Sequence, residues 1–395
     1  MNILAKKSLK SAQIIWALFF YVLLAGAYYQ TEGHSYSLIL VVFATLCLHT
    51  LFTDGIDKRQ HIVVWSVCSL LVVYSFFNSK ILGRSLNYSL IYLCAFHFYL
   101  CIYNTEKKQK KLGFSFLKFT VGLLFIYILF HTFIALRQYY LVPIRTFGMF
   151  RDYSQASFAI LIGFFLAYPW LRSKTFSPIV TALLFTAFFS TFSRTSNFLL
   201  AFMIIAVGIH EFKNNSFKTF LPHLIAIAIG YTAAITYPVL VSEAVVDRGG
   251  LHHFKTLNSR AYYWTAAFNA IKENWLWGAG IGTYQYTGIR EVVPFREITS
   301  AHNDYIEVWH DLGIIWFFIF IATLVFSLIK LAPFSISKQD FFECSLSKYL
   351  AWTLLLSMCM YMCINFIAKT YFFVMAFALL VAILNSNDPN SHENP

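Results

Sequence analysis

Runs of about twenty mostly apolar residues recur along almost the whole chain, and a run of that length crosses a bilayer as a helix. On that rule helices are expected near 12–29, 35–52, 61–78, 85–103, 114–136, 155–171, 177–193, 195–210, 220–241, 304–331, 346–366 and 369–385. The breaks at 53–60, 104–113, 172–178, 211–218 and 332–343 carry turn or charge signals. Charged residues are 12% of the chain, whereas soluble proteins carry about 25%. With a mean hydropathy of +0.62, the expected class is all-α, a polytopic integral membrane protein with about twelve transmembrane helices.

Lysine placement orients the spans. Lys6, Lys7 and Lys10, then Lys107, Lys108, Lys110 and Lys111, then Lys213 and Lys218 fall on one side if the spans alternate. The positive-inside rule makes that side cytoplasmic and puts both termini there. Residues 1–241 then form nine N-terminal helices, 242–303 a long outer loop, 304–385 three C-terminal helices, and 386–395 a disordered cytoplasmic tail. Within the loop, Asn258-Ser259 offers a cap for an amphipathic helix from Arg260 to Trp275, rich in aromatics that favour the headgroup level. Lys6-Lys7-Ser8-Leu9-Lys10 before an apolar run reads as a signal anchor retained as the first span.

The net charge of +12 is spread over short loops and forms no stripe or arm, so nucleic acid is not an expected partner and anionic membrane lipid is. Six of the seven cysteines lie in apolar spans and Cys344 in a short cytoplasmic loop, which argues against a disulfide framework. The segment Gly278-Ala279-Gly280-Ile281-Gly282 lacks the dinucleotide spacing and follows a helix. No Walker A, GxSxG or HExxH motif is present, nor a carboxylate cluster suited to a metal. Any chemistry must run on side chains alone, and no cofactor is expected.

Polar groups at membrane depth or at its rim are functional candidates. Foremost is His302 in Ala301-His302-Asn303-Asp304-Tyr305, between the outer loop and a long apolar run. Ser300 is the expected cap, placing His302 at the positive end of the helix that follows. A neutral imidazole with an ordinary pKa near 6.5 is suited to general-base work there; the plain alternative is a surface histidine at a helix start. Asp304 is its candidate partner and Asn303 a candidate substrate contact, while Glu307, His310 and Asp311 read as structural.

Arg194 stands between two apolar runs, where burying a guanidinium costs at least about 2.5–3.5 kcal/mol unless compensated. A phosphate would compensate it in two-point contact, as would the hydroxyls around it in a tight turn. Arg260 sits at the expected start of the aromatic helix, where a cation is unfavourable without an anion beside it. Arg145 and Arg151 in the earlier outer loop are candidates for guiding an anion inward. Gln155, at the top of the next span, could contact sugar or phosphate or simply cap its helix.

Ser193-Arg194, then Ser259-Arg260 with an aromatic helix ending in Gly278-Ala279-Gly280-Ile281-Gly282, then His302-Asn303 and Leu312-Gly313, together resemble the O-antigen ligase superfamily. Gly148-Met149-Phe150-Arg151 through Gln155-Ala156-Ser157 resembles its upstream outer-loop element more loosely. The chain departs from the pattern at Trp316, where a small residue is usual. The resemblance implies glycan transfer from undecaprenyl pyrophosphate to an acceptor hydroxyl at the periplasmic face of the bacterial inner membrane, without metal or nucleotide. His302 matches the family's essential histidine, and Arg194 and Arg260 its two essential arginines. The expected enzyme is an O-antigen ligase with lipid A-core as acceptor, in lipopolysaccharide biosynthesis. An O-antigen polymerase or protein O-oligosaccharyltransferase would share that chemistry; a lipid-linked sugar transporter or flippase is the alternative of a different class.

Overall fold

A computed structural model describes residues 82–109, 116–141, 146, 148–150, 152–241, 256–284, 301–332, 346–365 and 371–385, with scattered positions between 62 and 79. The spans expected at 12–29 and 35–52, Arg145, Arg151, and the tail 386–395 lie outside the described residues. Ten described helices follow one another: α1 Leu82–Gln109, α2 Phe116–Leu141, α3 Tyr153–Leu171, α4 Ser177–Phe189, α5 Arg194–Lys213, α6 Phe217–Val241, α7 Thr256–Glu273, α8 Asp304–Lys330, α9 Leu346–Met362 and α10 Tyr371–Asn385. There is no strand among the described residues. Five of these helices, α2, α3, α5, α6 and α8, contain stretches long and apolar enough to cross a membrane. Shorter apolar stretches occur in α1, α4 and α10.

Apolarity all round makes α3 the central helix, with every residue from Gln155 to Tyr168 buried. Around it, Phe158 stacks on Tyr361 of α9 at 4.4 Å and on Phe373 of α10 at 5.6 Å. Phe164 meets Phe185 of α4 edge to face at 5.0 Å. Close backbone approach is needed where α6 crosses α4: a Cβ on Gly230 would stand 2.8 Å from the Thr186 nitrogen.

Side-chain contacts fix which helix ends lie together. At one end Arg172, after α3, pairs with Glu211 of α5 at 2.7 Å, and Thr181 meets His223 at 2.9 Å. Trp352, early in α9, donates to the carbonyl of Leu328, late in α8. Exposed Lys174, Lys213 and Lys218 mark this as the lysine end. At the opposite end the Thr146 hydroxyl meets that of Ser190 at 2.7 Å, and the start of α3 meets the start of α5 through Ser157 and Ser196. Tyr305, early in α8, donates to the carbonyl of Cys359, late in α9. The described helices of the bundle alternate in direction.

Two local expectations are corrected. The aromatic helix begins at Thr256 rather than after Asn258-Ser259, so Arg260 is its fifth residue and not in its first turn. The cap of α8 is Asn303, whose side-chain oxygen accepts from the Ile306 amide at 3.2 Å, and His302 precedes the helix proper; Ser300, the expected cap, lies outside the described residues.

Candidate active site

Two polar clusters occupy the end opposite the lysines. The first forms where α3 and α5 begin. Asp152 caps α3, its Oδ1 accepting from the amides of Ser154 (2.8 Å) and Gln155 (3.0 Å). Ser193 caps α5 by accepting from the Ser196 amide, and Arg194 is the first residue of that helix. The turn from Ser190 to Ser193 is closed by Phe192, a non-glycine residue with φ +50°. Arg194 is exposed on the protein surface at the start of an apolar helix. Gln155 is buried in the third position of α3. The Thr146 amide donates to the Ser190 carbonyl at 3.2 Å, so the loop following Arg145 lies against the turn that carries Arg194. Two adjacent helix N-termini give this corner a positive field, roughly half an elementary charge each.

The second cluster is built on α7 and the start of α8. Trp264 of α7 donates its indole N–H to the Ala301 carbonyl at 3.1 Å, and the ring of Tyr263 lies 5.8 Å from the His302 imidazole. Arg260 lies on the same helix, three and four residues before Tyr263 and Trp264. His302 is half-buried with φ +52°, a left-handed conformation uncommon outside glycine. Asp304 is the first residue of α8 and is buried.

The polar stretch of α8 is set apart by a break. Gly313 has φ +80° and ψ 174°, dividing the helix into a buried arm, 304–312, and an apolar rod, 314–330. The break turns carbonyls outward: His310 and Asp311 accept from the amides of Ala279 and Gly280, while the Ile314 amide donates to the Trp275 carbonyl. The Asp311 carboxylate accepts from the amides of Gly282 (2.6 Å) and Tyr284 (3.2 Å). The glycine segment is therefore the dock for the α8 arm. A Cβ on Gly313 would stand 2.2 Å from the Leu276 carbonyl oxygen. Trp316 packs edge to face against Tyr74 at 6.1 Å, and the Tyr74 hydroxyl donates to the Leu312 carbonyl at 2.9 Å. The bulky residue thus has a partner of its own.

The two clusters meet through α9. Tyr305 bonds to Cys359, and two residues on Tyr361 stacks on Phe158, beside Ser157, which bonds to Ser196 of α5. Arg194 and His302 accordingly belong to the same end of the bundle, with the last turn of α9 between their helices.

Residues 179–321 match the family model described as O-antigen ligase. The chain carries an O-antigen ligase superfamily segment. That segment takes in Arg194, Arg260 and His302, the glycine dock and the Gly313 break; Arg145, Arg151 and Gln155 precede it. No curated protein and no solved structure matches the chain. The O-antigen ligase match supports membrane-bound activity of the ligase or polymerase type in broad terms. Sequence reasoning assigned no specific contacts to Trp264, Glu307 or Asp311. Their partners are backbone groups of other segments, which leave no trace in local spacing; the run of three alternating glycines beside a buried acid was the available signal.

Proposed function

We propose that this protein is a metal-independent, inverting glycosyltransferase of the O-antigen ligase type. It moves O-antigen polysaccharide from undecaprenyl pyrophosphate to lipid A-core at the periplasmic face of the inner membrane. The observation that carries the reading is His302, held in a left-handed conformation at the same bundle end as Arg194, inside the family-matched segment. Backbone strain of this kind clusters at functional sites.

In the proposed reaction the acceptor hydroxyl attacks the anomeric carbon as His302 takes its proton, a role worth about 10²–10⁴-fold. The bond from that carbon to the pyrophosphate oxygen breaks, and undecaprenyl pyrophosphate leaves. Arg194 and Arg260 hold the pyrophosphate and offset the charge that grows on its leaving oxygen. Positive fields from the starts of α3 and α5 act in the same sense. Arg145 and Arg151 guide the anion inward. Asn303 fits a capping role better than a substrate contact, because its side-chain oxygen is engaged by Ile306. Tyr263, beside His302, is the aromatic placed to stack on a sugar, whereas Phe268, Trp275 and Trp277 are exposed and suit the headgroup layer.

The test is purified protein in detergent with a synthetic lipid-pyrophosphate donor, offered lipid A-core, a lipid-linked repeat unit or a peptide bearing serine in parallel. Glycan on lipid A-core is expected. Product on either other acceptor would reassign the enzyme as a polymerase or a protein transferase. No transfer to any acceptor, with lipid-linked sugar carried across vesicles instead, would make it a transporter. Folded His302→Ala, Arg194→Ala and Arg260→Ala proteins that all transfer at the wild-type rate would sink the mechanism.

A further inference from the structure

The residue given the proton-accepting role has a left-handed backbone, and specific side chains hold it there. Glu307, in the first turn of α8, does not reach for the cap residue. Its Oε1 accepts instead from the amide of Ala301, at 2.8 Å, so the carboxylate spans His302 and ties down the chain on its far side. Trp264 holds the carbonyl of that same Ala301 and so fixes the peptide plane leading into His302. On the other flank the Asn303 carbonyl accepts from the Glu307 amide at 3.1 Å, which fixes the peptide after Asn303, one residue beyond His302. Ala301 and Glu307 are both buried, so water does not compete for their bond. A sparsely populated conformation persists only where its surroundings over-determine it. Here three bonds from two elements do so.

We propose that Glu307, together with Trp264, is a positioning residue for His302. The pair imposes the left-handed backbone that aims the imidazole at the acceptor hydroxyl. The role of Glu307 is to accept a backbone hydrogen bond, which a glutamine side-chain oxygen can also do. This rests on His302 as the proton acceptor.

The experiment measures kcat and donor KM in the detergent assay for wild type, Glu307→Gln, Glu307→Leu, Trp264→Phe, His302→Ala and the double variant His302→Ala/Glu307→Leu. Glu307→Leu should lower kcat by about 10²-fold, the scale of a misplacement near 1 Å, with donor KM unchanged. Glu307→Gln, which still accepts from Ala301, should restore most of the rate. The double variant should match His302→Ala alone, because Glu307 acts only through the imidazole. Wild-type kcat in Glu307→Leu overturns the inference, as does a Gln variant as impaired as the Leu variant, or a double variant far below His302→Ala. If Glu307→Leu does not fold, Trp264→Phe makes the same test from the carbonyl side, and a wild-type kcat there overturns the inference. A fully active His302→Ala overturns the proton-acceptor assignment itself; an impaired His302→Ala beside an unimpaired Glu307→Leu removes only the positioning role.

Discussion

At the lysine end of the bundle, a buried carboxylate meets a cation: Glu211 pairs with Arg172 and also accepts from Ser216. At the opposite end Asp152, Glu307 and Asp311 accept from main-chain amides. The first arrangement neutralises charge and closes the seam between α3 and α5. The second uses acids to set the path of the chain, holding two helix starts and the glycine dock in place. Similar side chains therefore do different work at the two ends.

Mutations should separate the two ends. The largest effect is expected from His302→Ala, which should lower transfer by about 10²–10⁴-fold while leaving the melting temperature of the purified protein unchanged. A matching loss of melting temperature would return His302 to a structural part. Gly313→Ala comes next, since a Cβ there meets the Leu276 backbone and the positive φ disfavours any side chain. It should destabilise the docking of α7 on α8, seen as faster hydrogen exchange of the Ala279 and Gly280 amides together with lost transfer.

Arg172→Ala tests the lysine end. It strands the Glu211 carboxylate and should cost about 2–3 kcal/mol, on the low side for a buried pair because Arg172 is 34% exposed. Transfer per folded molecule should stay at the wild-type value; a fall in that rate would mean the two ends are coupled. Asn303→Ala gives the smallest effect, about 1 kcal/mol from loss of the α8 cap, recovered in Asn303→Asp, which caps as well. An Asp variant that folds but transfers poorly would restore Asn303 as a substrate contact.

Much of this organisation is legible in the chain because apolar runs set helix length directly. The expected 155–171 and 304–331 lie within a few residues of α3 and α8. The tight turn before Arg194 was also readable, though Phe192 at positive φ was not, since phenylalanine gives no hint of that conformation. The Gly313 break escaped for a physical reason: the apolar pattern runs on past it, and an isolated glycine in such a run is ordinarily tolerated. Asp311 was recognisable as structural, but its partners at Gly282 and Tyr284 lie more than a full helix away in sequence. At Thr256 the helix starts ahead of the polar pair that looked like its cap. Capping chemistry marks where a helix can start without obliging it to start there.

The break at Gly313 has a mechanical consequence. A straight α8 would make the height of its first residues depend on bilayer thickness and on the tilt of the rod. With the hinge in place, the arm bearing Asn303 and Glu307 is keyed to α7 and the glycine segment instead. The imidazole then keeps its level when the rod leans, much as a shelf bracketed to a wall ignores the angle of a pole beside it.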